Sequence, residues 1–214
     1  MKSIYAIGMI AAIVGATVAV AEPLKTEYPK PMFVGTPVPI KLPNMEPPRQ
    51  PKPWEFDLPA GCKNLAEKKT VTGSDSSPLL GSLDLITDGD KSAEEGSYVE
   101  IAGGKQWVQI DLGKTSEIYA LLVWHYHLQQ RAYKGVVVQI SDDKDFIKDV
   151  KTVFNNDVDN AVGQGVGKDF AYIETNYGKL IDAKGTKGRY IRLWSNGNTA
   201  NGMNHYIEVE AWGK

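Results

Sequence analysis

From about residue 98 onward the chain alternates apolar and polar side chains at period two. In Gln106-Trp107-Val108-Gln109-Ile110-Asp111-Leu112, Val108, Ile110 and Leu112 fall on one face, with Trp107, Gln109 and Asp111 on the other. This is the pattern of a half-buried antiparallel strand with one face in a core. Arg189-Tyr190-Ile191-Arg192-Leu193-Trp194 and Tyr206-Ile207-Glu208-Val209-Glu210-Ala211-Trp212 repeat it. Strands are expected over 98–101, 106–112, 117–127, 135–141, 150–154, 170–175, 189–194 and 205–212, punctuated by turn clusters such as Asp88-Gly89-Asp90 and Asn196-Gly197-Asn198. Such a run without intervening helices predicts an all-β fold, an eight-stranded antiparallel jelly-roll β-sandwich. A single helical turn is expected over 142–148, capped by Asp142 or Asp143.

Before this region the pattern changes character. Eleven of the twelve prolines lie between Glu22 and Ala60. Proline has no amide hydrogen and a fixed φ, so residues 22–60 are expected to form an extended, partly polyproline II arm ahead of a β-sandwich domain over 61–214. Met32, Phe33, Val34, Val38, Ile40, Trp54 and other large apolar residues are too many for a freely solvated spacer. The arm either docks, on its own domain or on a partner, or stays a free spacer, and composition leaves both open.

The chain begins Met1-Lys2, runs apolar or small from Ser3 to Ala21, and reaches Ala19-Val20-Ala21 just before Glu22-Pro23. A basic start, an apolar middle and a small-x-small exit predict a signal peptide over 1–21 and a secreted or periplasmic protein. Membrane insertion is not expected once it is cleaved, although the apolar run is long enough to serve as an anchor if retained. Twenty-four Lys and Arg against twenty-six Asp and Glu give a net charge of −2, which argues against a nucleic-acid partner. Cys62 is the only cysteine, so no intramolecular disulfide can form.

Six stretches now combine: Asn64-Leu65-Ala66, Thr87-Asp88-Gly89-Asp90, Trp107 to Gly113, Val138 to Asp143, Arg189 to Leu193, and Glu208 to Gly213. In this order the sequence resembles the discoidin domains, also called coagulation-factor type C domains, which are galactose-binding-like jelly rolls. With its arm, the chain resembles exported bacterial members. The resemblance covers about residues 61–213 and implies a non-catalytic binding module for sugars, lipid head groups or protein surfaces. Two departures narrow this. The disulfide that joins the ends of animal plasma members has no counterpart here, and the loops carry Asn, Gly and Asp where membrane-binding members carry apolar spikes.

Many such domains hold a structural calcium ion. The resemblance places it on Asp88, the carbonyl of Asp90, the Ser97 hydroxyl and Glu208, an oxygen set of the kind calcium takes. It places sugar sites on the loops at one end of the sandwich, built from an aromatic ring with Arg, Asn and His. His127, Arg131 and Tyr133, with Asn198, Asn201 and Asn204 in the loop before the last strand, are the expected ligand-binding residues. Planar amides and guanidinium bridge sugar hydroxyls, and a ring packs on the apolar sugar face.

His125, His127 and His205 lack an acidic or cysteine ligand at matching spacing, so packed or rim histidines are expected, not a transition-metal site. Gly163-Gln164-Gly165-Val166-Gly167-Lys168 lacks the first glycine and the Ser or Thr of a phosphate loop. No Gly-x-Ser-x-Gly elbow or recognisable carboxylate pair occurs, and no enzymatic activity is expected. The functional expectation is carbohydrate binding to cell-wall or extracellular glycans. The alternative is a scaffolding envelope protein that binds a protein partner through the arm or the loop face.

Overall fold

The computed structural model describes residues 20–214, so nearly all of the expected signal segment lies outside the described residues. The fold is the expected all-β antiparallel jelly roll. Its main sheet has the order β3-β13-β6-β11-β8-β9, formed by Lys63–Asn64 (β3), Glu208–Gly213 (β13), Lys105–Trp124 (β6), Lys179–Asn196 (β11), Val137–Ser141 (β8) and Lys151–Asn155 (β9). Thr70–Gly73 (β4) pairs with the first half of β6. Three two-stranded pairs complete the fold: Ala21–Pro23 (β1) with Asp57–Pro59 (β2), Val99–Ile101 (β5) with Asn204–Tyr206 (β12), and Ala132–Tyr133 (β7) with Tyr172–Ile173 (β10). Leu83–Thr87 forms a short 3-10 helix.

Several expected strands are redrawn. The stretches 106–112 and 117–124 form one long strand, β6, which bends at Gly113, whose φ of 86° is open to glycine without strain, while 125–127 of the expected strand lie beyond its end. Strand 189–194 is the second half of β11, whose first half, Lys179–Lys187, hides behind polar and glycine residues in the sequence. The expected 205–212 strand divides at Ile207 into β12 and β13. No helical turn forms over 142–148. Instead the Asp143 carboxylate accepts the amides of Asp145, Ile147 and Lys148 and closes a loop.

β6 is buried differently along its length. Val108, Ile110, Leu112 and Ile118 point into the principal core, with Val138, Ile140, Ile191 and Leu193. After Ile118 the parity changes. Gly213 and Trp212 are consecutive, yet they oppose Ile118 and Ala120, so Tyr119 is one extra residue on β6. A bulge of this kind moves all later side chains to the other face. Leu121 and Val123 now face the principal core, while Leu122 and Trp124 turn outward into a second cluster with Leu128 and Ile207.

The arm covers this second cluster. Leu24, Tyr28 and Trp54 pack on it, and the Trp54 indole N–H donates to the carbonyls of Tyr177 and Gly178 at 3.1 and 3.0 Å. Gly178 is required here, since a Cβ would stand 2.8 Å from the Trp124 ring. The arm continues along the loops: Val34 N–H donates to Leu128 O, Glu46 N–H to Ala171 O, and Glu46 pairs with Lys179 at 2.6 Å. It returns to its starting point, where β1 and β2 clasp the excursion shut. Of the two fates open to it, the arm docks on its own sandwich.

Candidate functional site

The turn after the 3-10 helix is laid out by its own side chains. Asp88 accepts the Asp90 amide, Asp90 accepts the Ser92 amide, and the Ser92 hydroxyl meets that of Ser97 at 3.1 Å. Ser97 also donates to Glu94 O. Glu208, the first residue of β13, is fully buried and reaches this turn, one carboxylate oxygen accepting the Gly89 amide at 2.9 Å. Its other oxygen has no partner. Burial pushes the Glu208 carboxyl up to about 9, and burial likewise raises Asp88.

An orphaned, buried carboxylate oxygen beside a second acid is a poor arrangement for a bare anion and a good one for a cation. Among the described residues no three His, Cys, Asp or Glu side chains gather at a metal-binding distance. A calcium site of the expected type needs only two carboxylates, with hydroxyl and carbonyl oxygens making up the set. Asp88 and Glu208 are the two carboxylates such an ion would need, with Asp90 and Ser97 on the same turn. Ionised Glu208 would hold it, and the ion would supply the charge that lets Glu208 ionise.

The same turn supports a cluster at its far end. The Lys91 carbonyl bonds His127 Nε2 at 2.9 Å, and Tyr98 directly follows Ser97. Tyr98, just before β5, and Glu100 within it alternate with Val99 and Ile101, which are core residues. Opposite Glu100 on β12 stands His205, with 2.8 Å between Nε2 and the carboxylate. Arg131 Nη1 lies 3.3 Å from His205 Nδ1, its Nη2 donates to Gln129, and its guanidinium stacks at 4.3 Å over the Tyr126 ring. Tyr98 and Tyr126 meet edge to face at 5.1 Å, both partly exposed.

The protonation pattern follows from these contacts. Burial and the Arg131 charge lower the His205 pKa, although Glu100 opposes them. A neutral His205 then donates from Nε2 to Glu100 and accepts from Arg131 at Nδ1. The result is a pre-ordered row, Glu100, His205 and Arg131, beside two tyrosine rings, in which both ring nitrogens of His205 are already engaged.

Of the residues expected from sequence, Arg131 takes part in this row, largely buried at 6% exposure. His127 lies beneath it, also buried, and braces Lys91. Tyr133 is corrected: its ring is 1% exposed, stacked at 4.3 Å on His125, and presents no face to a sugar. Asn204 is corrected too. It is 1% exposed, its amide NH₂ donates to Ala102 and Gly104, and its oxygen accepts the Gly197 amide. Asn198 and Asn201 fold their amides back onto their own turn. Tyr98, Glu100 and Tyr126, which gather here around Arg131, were not singled out from the sequence, and His205, expected as a packed or rim histidine, is buried between Glu100 and Arg131. The alternation Tyr98-Val99-Glu100-Ile101 signalled two of them, since it sets both polar side chains opposite the core. His125 is packed as expected, 3.2 Å from buried Glu174.

Comparison with curated proteins returned no match. Among solved structures, the chain is similar to a chitosan-binding module from a chitosanase/glucanase of Paenibacillus sp. IK-5, with a TM-score of 0.51 and 19% identity over 70% of this chain and 98% of the other. It is also similar to a Clostridium perfringens CBM32 module in complex with GlcNAc-α-1,4-galactose (0.50, 18% identity, 72% and 96% covered). A family 89 glycoside hydrolase of Clostridium perfringens gives 0.52 and 19% identity, with 71% of this chain matching 14% of that one. These similarities agree on the jelly-roll fold. The sequence profile of the NedA-like, galactose-binding domain family, of F5/F8 type C, matches residues 85–193, and the chain belongs to that family.

Proposed function

We propose that this protein is an exported, non-catalytic carbohydrate-binding protein whose sugar site is the Glu100, His205 and Arg131 row flanked by Tyr98 and Tyr126. The observation that carries the reading is this convergence: a carboxylate, an imidazole and a guanidinium locked to one another beside two partly exposed rings. Vicinal hydroxyls of a pyranose match a carboxylate acceptor set beside a guanidinium donor, with His205 holding the two in place, and its C–H face suits tyrosine. The modules to which the chain is similar include ones named for binding chitosan and GlcNAc-α-1,4-galactose, which supports the ligand class. A calcium ion on Asp88, Asp90, Ser97 and Glu208 would hold the turn from which Tyr98 emerges, a structural role. The N-terminal apolar segment serves export to the periplasm or beyond.

Retention on a broad glycan array in calcium-containing buffer tests this. Wild type should be retained by a defined set of glycans, and Glu100→Gln, which keeps shape but loses the carboxylate, should weaken retention at least tenfold, on the order of one charged hydrogen bond. A blank array from a folded sample would sink the reading. It would turn attention to a protein partner, for which the exposed arm residues Met32, Phe33 and Val34 are a suitable surface.

A further inference from the structure

The bend of β6 lies beside a second concave feature, in which none of the residues of the proposed sugar site takes part. A cleft of about 500 Å³ opens between the Gly61–Lys69 segment, the Gly113 turn and the end of β13. Four lysines line it: Lys63, Lys69, Lys114 and Lys214. None of the four has an ion-pair partner within 4.0 Å among the described residues. The acids nearby are engaged elsewhere, Asp111 with Arg189 at 2.7 Å and Glu117 with Lys187 at 3.2 Å. Glu67 is the single acidic residue in the lining.

Like charges converging on one hollow raise its positive potential, a cost that an anionic ligand relieves. We propose that this cleft is a binding site for a carboxylated polysaccharide, separate from the sugar row. Lysines are flexible point charges, without the planar fork that seizes one carboxylate in two places, so they suit monoanions spaced along a polymer. The concave floor favours a chain that enters the cleft over a flat lipid surface. Of the large apolar side chains that stand exposed among the described residues, none lines the cleft.

Affinity electrophoresis in polygalacturonate, with its methyl ester as the uncharged control, decides the matter. Wild type should be retarded by the acid and not by the ester, and added salt should release it. The pair Lys69→Gln/Lys114→Gln should weaken retardation roughly fivefold to tenfold, in keeping with two partly exposed charge contacts. Lys30→Gln/Lys41→Gln, an equal charge change on the arm, should leave it unaltered. Equal weakening by the arm pair would reduce the effect to net charge and overturn the proposal, as would absence of retardation. Binding to phosphatidylglycerol vesicles without binding to the polyuronate would replace the occupant with a lipid surface.

Discussion

The two halves of β6 run through the same sheet, yet their outer faces are finished in different ways. In the first half Trp107, Gln109 and Asp111 alternate with core residues and remain at or near the surface. There Arg192 stacks at 4.4 Å on Trp107 and at 4.2 Å on Phe146, and it donates to Gln109. In the second half Ala120-Leu121-Leu122-Val123-Trp124 is apolar without a break and buried on both faces. A strand of that composition needs cover on its second side. The arm provides it, and so a segment that proline bars from the sheet interior becomes a wall of the protein. The contrast shows that proline-rich need not mean detached.

Deleting Tyr119 attacks the device that separates the halves. Without the extra residue Leu122 and Trp124 would turn inward and Leu121 and Val123 outward, so the cooperative thermal transition seen by circular dichroism should be lost. A normal melting curve would mean that the bulge does not set the parity.

Truncating the two outer tryptophans compares the halves directly. Trp124→Ala should cost about 3–5 kcal/mol, as buried large-to-small changes do. It empties a site closed by Tyr28, Trp54 and the Gly178 backbone, and it breaks the indole bond to the Asn176 carbonyl. Trp107→Ala should cost about 1 kcal/mol, mainly its contact with Arg192. Equal losses in urea unfolding would erase the distinction.

A further test concerns Glu208, which pairs with Trp124 across β13 and β6. In the unfolded chain its carboxyl ionises near 4.5, whereas the calcium-free fold holds the proton up to about 9. The folded state therefore binds more protons within that window. Stability from this group is complete below pH 4.5 and declines as pH rises toward 9, by up to about 1.4 kcal/mol per pH unit. Melting temperatures in chelator should fall across that range, and Glu208→Gln should flatten this contribution. Calcium should raise the melting temperature of wild type and leave Glu208→Gln unaffected. A wild-type profile that is identical in chelator and in calcium would remove the ion from the account.

Much of the fold was legible because alternation reports the sidedness of a strand directly. Val108, Ile110, Ile191 and Leu193 needed no structure to be assigned to a core. The merging of two expected strands into β6 was not legible, since Gly113 reads equally as a hairpin turn or a bend. In the proposed sugar row Arg131 was named from the sequence, and His205 was noticed only as a packed or rim histidine. Tyr133 was misplaced because an aromatic ring beside an arginine looks the same in sequence whether it points out or in. The asparagines of 198–204 misled for a related reason, as amides that could bind sugar are also those that close turns.

By itself the sequence determined an all-β chain with its core faces and an arm that could join no sheet interior, while the placing of Glu208 at the acidic turn came from the resemblance to discoidin domains. The first two follow from local chemistry: period-two burial and the missing amide of proline. Only the tertiary structure decided where the arm lies, which of Tyr98, Tyr126 and Tyr133 keeps an exposed face, and that four distant lysines share one cleft. Those outcomes depend on which surfaces meet after the strands have paired, and a bulge of one residue is enough to exchange them.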